Sequence, residues 1–313
     1  MAAEGGAIIT FIFIGENSED IPRDVTHLII HESITVIPAF LFHDHPNLVE
    51  VNCHSGVTKI EEEAFAYCSY LRRVIIPGVT IVEECTFSGC GKLVNVECDK
   101  LERIGGEAFI LCETLGSINL TNAKIVEGGV FSSCHAMTEA IFGKDLESIE
   151  GGSFVNCTSL ESITVPLRSG LFTEDGIFAG CANLKRVDLT EVEFLRDFAD
   201  ALLWESWRSD FHEVIELINE VLPNADPGDG YESYDDVNDE LYNNNGGKAI
   251  AIREWIESVL RKVTYYKTVH RELLNEAAAV LQLSLSSDAV MNNILPFIEL
   301  PQHAFDREDD DLE

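Results

Sequence analysis

The motif F-x-x-C-x-x-L returns along the first 190 residues at an almost constant interval, and that repetition constrains the fold more than any other feature. It reads FAYCSYL, FSGCGKL, FILCETL, FSSCHAM, FVNCTSL and FAGCANL, with FHDHPNL as a variant first copy. The phenylalanines are Phe42, Phe65, Phe87, Phe109, Phe131, Phe154 and Phe178, at steps of 23, 22, 22, 22, 23 and 24 residues. A unit of about 22 residues cannot enclose a core by itself. Successive copies must therefore stack, phenylalanine on phenylalanine and leucine on leucine, as coils of a solenoid.

Each copy carries two further apolar pairs. Three and five residues after the leucine position stand pairs such as Val74 and Ile76, Ile118 and Leu120, or Ile163 and Val165. That is the period of a strand with one buried face. Eight and five residues before each phenylalanine stand Val57 and Ile60, Leu101 and Ile104, or Leu146 and Ile149. One coil thus has two apolar sides. The last copy departs, with Gly170 and Thr173 where the second pair belongs, and is expected to end the solenoid.

These residues resemble the BspA-like leucine-rich repeat, whose pattern is roughly I-x-x-x-A-F-x-x-C-x-x-L-x-x-I-x-I-P, over residues 25–190. The segment GENSEDIPRDVTHLIIHESITVIP also resembles the module that precedes such repeats in proteins of unicellular eukaryotes, with Gly15, Pro22, Asp24, Val25 and Thr26 in the expected order. An exposed first core layer needs a cap. Strands at 8–14 and 25–30 would supply it. The fold class is α+β: an N-terminal β cap at 1–33, a leucine-rich-repeat solenoid of about seven coils of 22–24 residues at 34–190, and an acidic α-helical module at 191–313.

Cys68, Cys90, Cys112, Cys134, Cys157 and Cys181 fill one slot in six successive coils. No C-x-x-C pair exists, so the spacing does not favour a metal. Stacked equivalent side chains run parallel, which disfavours disulfides, since bridging requires Cβ atoms about 3.8 Å apart. A buried, reduced ladder of small apolar fillers is expected. His43, Asp44 and His45 form the densest cluster of ligand-type residues. His45 stands in the cysteine slot and is read as a satisfied, partly buried histidine.

The net charge is −34, shared as 27 acids against 12 bases in residues 1–190 and 28 against 9 in residues 191–313. Such a surface repels phosphate backbones and anionic head groups, so neither nucleic acid nor membrane is an expected partner. IITFIFI at 8–14 has no basic flank and no cleavage pattern, and makes a poor signal peptide. With an odd total of nine cysteines, the expected compartment is the reducing cytoplasm, with the nucleus as alternative.

After Thr190 the repeat gives way to helical spacing. Phe198, Leu202, Trp207, Phe211, Val214, Ile218 and Val221 mark one or two amphipathic helices. Residues 224–247 read as a mobile acidic loop and 303–313 as a disordered tail. Within the loop, the run at 226–240 fails the calcium-loop template, because Tyr231 stands where glycine belongs. Ile252, Ile256, Val259, Val263, Tyr266, His270, Leu273, Ala277 and Val280 then form a heptad stripe. Its expected partner is the 192–222 helices; self-association through 252–280 is the alternative. The run at 248–301 looks like a tail that accompanies BspA-like repeats, and SSDAVMNNILPFIELP within it is similar to an F-box helix.

No G-x-S-x-G, H-E-x-x-H or G-x-G-x-x-G occurs. No catalytic residue, metal or cofactor is therefore assigned. The expected function is a non-enzymatic scaffold that binds a protein partner through its strand face; the alternatives are an adaptor of a ubiquitin-ligase complex, implied by the F-box likeness, and an enzyme with an unrecognised site. The residues two and four after the leucine position alternate away from the buried pair and must project from the sheet. From them, Arg73, Ile75, Asn95, Glu97, Asn119, Glu139, Ile141, Thr164 and Arg186 are the candidate partner-binding set, with Ile75 and Ile141 as apolar anchors and Arg73 and Arg186 as polar ones.

Overall fold

The computed structural model describes residues 7–15, 21–174, 176–228 and 247–282. Most of the expected acidic loop, the 303–313 tail and the F-box-like segment lie outside the described residues. Two compact units divide the chain: residues 1–190 with 219–253, and residues 191–218 with 254–313.

The first unit is a stack of coils. On one side run β1 (Thr10–Phe13), β2 (His27–Ile30), β4 (Glu50–Asn52), β6 (Arg73–Ile75) and β8 (Asn95–Glu97), all parallel in that order. On the other run β3 (Val36–Ile37), β5 (Lys59–Ile60), β7 (Ile81–Val82), β9 (Arg103–Ile104), β10 (Ile125–Val126) and β12 (Ser148–Ile149). The first side resumes as β11 (Glu139–Ile141), β13 (Ser162–Val165) and β14 (Arg186–Leu189).

The phenylalanines stack between the sheets as expected. Neighbouring ring centroids lie 5.1 to 5.7 Å apart, and the rings from Phe42 to Phe109 are tilted by no more than 14°. Phe13 of β1 ends the stack by meeting Phe42 edge-on at 5.6 Å and 77°. An edge-to-face ring closes the column without presenting its face to water.

Between the sheets each coil makes two tight turns, flanking its phenylalanine by two residues on either side. Both turn positions adopt positive φ in the first six coils, as at Glu63 and Tyr67 around Phe65, Glu107 and Leu111 around Phe109, and Gly152 and Asn156 around Phe154. Glycine and asparagine take this conformation cheaply; Glu107 and Leu111 hold it at a cost that the stack must offset.

Two features of the repeats depart from the regular period. The last coil keeps its second apolar side: Leu171 and Phe172 are buried, and Phe172 bridges Ile149. The 24-residue step shifts the apolar pair along the chain instead of deleting it. Secondly, the strand side is not one continuous sheet. Between β8 and β11 the coil at Ser117–Asn119 forms no strand, and the side continues through a single bridge, Leu120 to Phe142. Gly116, Ser117 and Asn119 are poor strand formers. Asn119 Oδ1 accepts bonds from the amide and hydroxyl of Thr121, at 3.2 and 2.7 Å, and the Asn119 carbonyl takes the Cys98 thiol at 3.5 Å. Local side-chain bonds thus compete with the ladder.

Residues 219–228 and 247–253 finish the last coil. Asn219 Oδ1 accepts the Val187 amide of edge strand β14 at 3.1 Å, and the Gly180 amide donates to Pro227 O at 3.1 Å. Lys248 is buried and donates to the carbonyls of Leu184 and Leu222, at 2.6 and 3.1 Å. Desolvation lowers its pKa.

The second unit is helical: α1 (Val192–Ala201), α2 (Glu205–Val221, whose last turn passes into the first unit) and most of α3 (Gly247–Gln282). Phe198 packs on Phe211 and Trp207 on Tyr266, with centroids 5.3 and 5.0 Å apart. Asp210 accepts from both Lys262 and Tyr266, and these two bonds hold its carboxyl below the usual range. Of the heptad stripe, Ile252 through His270 are buried, while Leu273 is half-buried and Ala277 and Val280 are exposed. No described helix is long and apolar enough to cross a membrane.

Candidate interaction face

The outward face of the strand side carries eight of the nine expected residues in register; Asn119 lies in the strandless coil between the two sheets. Glu50, Arg73 and Asn95 are paired across neighbouring strands, as are Asn52, Ile75 and Glu97; Glu139, Ser162 and Arg186 form the matching row in the second sheet, beside Ile141, Thr164 and Asp188. Arg73, Asn95, Glu97, Asn119, Glu139, Ile141 and Arg186 are exposed, whereas Ile75 and Thr164 are half-buried. The break at Ser117–Asn119 leaves four of them in each sheet and Asn119 between.

Their polar groups are largely occupied with one another. Arg73 donates to Glu97 at 2.6 Å and lies 3.8 Å from Glu50, while Asn95 donates to the same Glu97 oxygen at 3.0 Å. Arg186 pairs with Asp188 at 2.9 Å. The two arginines thus already hold carboxylates, and solvent screens such exposed pairs so that they contribute little. A partner would exchange them at small cost, or bind over them.

The candidate set begins at β6 and leaves out the start of this face. Strands β1 and β2 extend both rows: Thr10 and His27 continue the Arg73 row, and Ile12 and Ile29 continue the Ile75 row. Ile12 is 53% and Ile29 40% exposed, comparable with Ile141 at 43%. The alternation in IITFIFI carries the signal for it.

The cysteine ladder lies beneath this face and has a role beyond filling. Each thiol donates to the carbonyl of the phenylalanine one coil earlier: Cys68 to Phe42, Cys90 to Phe65, Cys112 to Phe87, Cys134 to Phe109, Cys157 to Phe131 and Cys181 to Phe154, at 2.9 to 3.3 Å. The first slot holds His45, whose Nε2 lies 3.1 Å from Pro22 O in the cap. All nine cysteines are free thiols. Burial pushes Cys53 and Cys68 up to about 12 and Cys98 up to about 11. For half-exposed Cys85, about 12 results from desolvation first, then from Glu107, Glu84 and Glu63. Thiols so far from ionisation are poor nucleophiles and poor metal ligands.

An open groove of about 710 Å³ lies beside the first coil, lined by Ile21, Arg23, Phe40, His43, His45 and Glu63 among others. His43 Nε2 is 3.3 Å from Glu63, and Arg23 reaches Asp44 O at 3.0 Å. Among the described residues, no three His, Cys, Asp or Glu side chains are placed to hold a metal ion.

With the geometry established, comparison with known proteins identifies the repeat. The model of the BspA type leucine rich repeat region matches in six copies, over residues 21–138 and 80–199, more than half of the chain. The chain belongs to the BspA-type leucine-rich repeat family. Among solved structures, this BspA-type protein is similar to the leucine rich repeat protein of T. pallidum, at 27% identity and TM-score 0.40, covering 52% of this chain and 68% of that one. It also matches a leucine rich cell surface protein from Faecalibacterium prausnitzii at 20% identity and TM-score 0.35, covering 53% and 60%. A leucine-rich repeat protein from Bacteroides ovatus matches at 23% identity and TM-score 0.28, covering 50% and 59%. No curated protein matches the chain.

Proposed function

We propose that this BspA-type repeat protein is a non-enzymatic scaffold that binds another protein through the outward face of its strand side. The observation that carries the reading is the pair of in-register rows, in which mixed charges surround the isoleucines Ile75 and Ile141. Strands about 4.8 Å apart give a surface of dimensions suited to a standard protein contact. Neither row is basic, which favours a protein over a polyanion. Residues 1–33 act as cap, 34–190 as binding solenoid, and 191–218 with 254–313 as helical module, and the reduced thiols fit a cytoplasmic or nuclear setting.

The test is capture on immobilised full-length chain, compared with the double variant Ile75→Asp/Ile141→Asp after its thermal melt is shown to match wild type. A partner retained by wild type and lost by the variant supports the face. A partner bound equally by both moves the site elsewhere.

A further inference from the structure

Strand β1 is an edge. It forms the end of the five-stranded sheet, and its outer side has no strand partner among the described residues. Its inner side is fully engaged with β2: Ile9 O accepts the amides of Thr26 and His27 at 2.9 and 3.0 Å, and Phe13 O accepts that of His31 at 3.0 Å. In a parallel ladder alternate residues of an edge strand bond inward, so Ile9, Phe11 and Phe13 serve β2. The N–H and C=O groups of Thr10 and Ile12 then point to the open edge.

The side chains there are as unusual as the backbone. Ile8, Ile12 and Ile14 share a parity, and with Ile29 on β2 they are exposed at 73, 53, 55 and 40%. Edge strands are normally blunted by lysine, proline or an inward charge. Residues 7–15, AIITFIFIG, carry none of these, in a chain whose net charge is −34.

From this edge we infer that the protein self-associates, β1 of one copy pairing antiparallel with β1 of a second about a two-fold axis normal to the sheet. That axis keeps the outward faces of both copies on one side and sets even-numbered residues opposite even-numbered ones. The free N–H and C=O groups of Thr10 and Ile12 thereby meet their counterparts, and Ile8, Ile12, Ile14 and Ile29 of both copies merge into one apolar strip. A second copy fits better than an unrelated strand because the segment is self-complementary in this register. Residues 7–15 also carry no charged side chain, so two strongly acidic chains can approach there without like charges in the segment itself. The inference stands independently of the proposed strand-face partner, although pairing would join the two faces into one longer surface.

Sedimentation velocity on the full chain, across a wide concentration range and at low and high salt, tests it. The expected result is a monomer–dimer equilibrium that tightens as salt screens the repulsion between the rest of the two chains. Ile12→Lys, outward and solvent-facing, should weaken the dimer by roughly tenfold or more. Ile12→Pro removes an outward N–H while leaving the bonds to β2, and should have the same effect with an unchanged melt. Val280→Lys, on the exposed end of the α3 stripe, should leave the dimer intact. A monomer under all conditions, a dimer indifferent to both Ile12 variants, or one dissolved by Val280→Lys would each overturn the inference.

Discussion

Replacing Cys112 separates two accounts of the ladder. Its side chain is fully buried, and its thiol donates to Phe87 O at 3.3 Å, a carbonyl that also accepts the Cys90 amide at 3.1 Å. Cys112→Ala removes a sulfur about as large as a methylene, leaves a small void and withdraws one weak donor. Together these are worth about 2 kcal/mol. Cys112→Ser keeps a donor facing the same carbonyl and should cost no more than alanine. If the slot were only an apolar filler, serine would bury an unpartnered hydroxyl at a further ~1–3 kcal/mol. All three tryptophans, Trp204, Trp207 and Trp255, lie in the helical unit, so tryptophan fluorescence would not follow the coils. Pulse alkylation of the remaining buried thiols across a urea series does follow them. With a slope of about 2 kcal/mol per M, both variants should unfold about 1 M earlier than wild type. A serine midpoint well below that of alanine would refute the donor argument.

Stability should fall with alkaline pH. Folding raises the thiol pKa of Cys53 and Cys68 to about 12 and of Cys98 to about 11, so their contribution is complete below the ordinary thiol range and is lost as pH rises through it toward those values. Thermal melts that stay level from about pH 8 to 10 would contradict this. Glu107 holds φ +56°, and Glu107→Gly should stabilise by roughly 0.5 kcal/mol, net of the freedom glycine gives the unfolded chain, read as a higher urea midpoint. At Gly143 an added Cβ would stand 2.0 Å from Thr121 O, so Gly143→Ala should cost about 2–4 kcal/mol by the same assay. Lys248→Met withdraws the ammonium from Leu184 O and Leu222 O and should cost about 1–3 kcal/mol in a urea melt; an unchanged midpoint would show that the bonds contribute nothing.

The stacked architecture, the buried phenylalanine column and the parity of the outward residues were legible in the sequence, because each follows from a local period repeated seven times. Burial of the heptad stripe as far as His270 was legible for the same reason. What the sequence left open depends on contacts between coils. The bond from each cysteine to the preceding phenylalanine carbonyl joins residues 25 to 27 apart, and no composition rule distinguishes a donor slot from a filler slot. The positive φ of Glu107 and Leu111 belongs to the coil geometry, since side chains that disfavour that conformation adopt it where neighbours over-determine it. The gap in the strand side at Ser117–Asn119 arose because side-chain bonds at Asn119 outcompeted a ladder that the apolar pattern alone implied. The open edge of β1 could be recognised only once β2 had occupied its other side: strand order is a tertiary property, and the same seven apolar-rich residues would be unremarkable in the middle of a sheet.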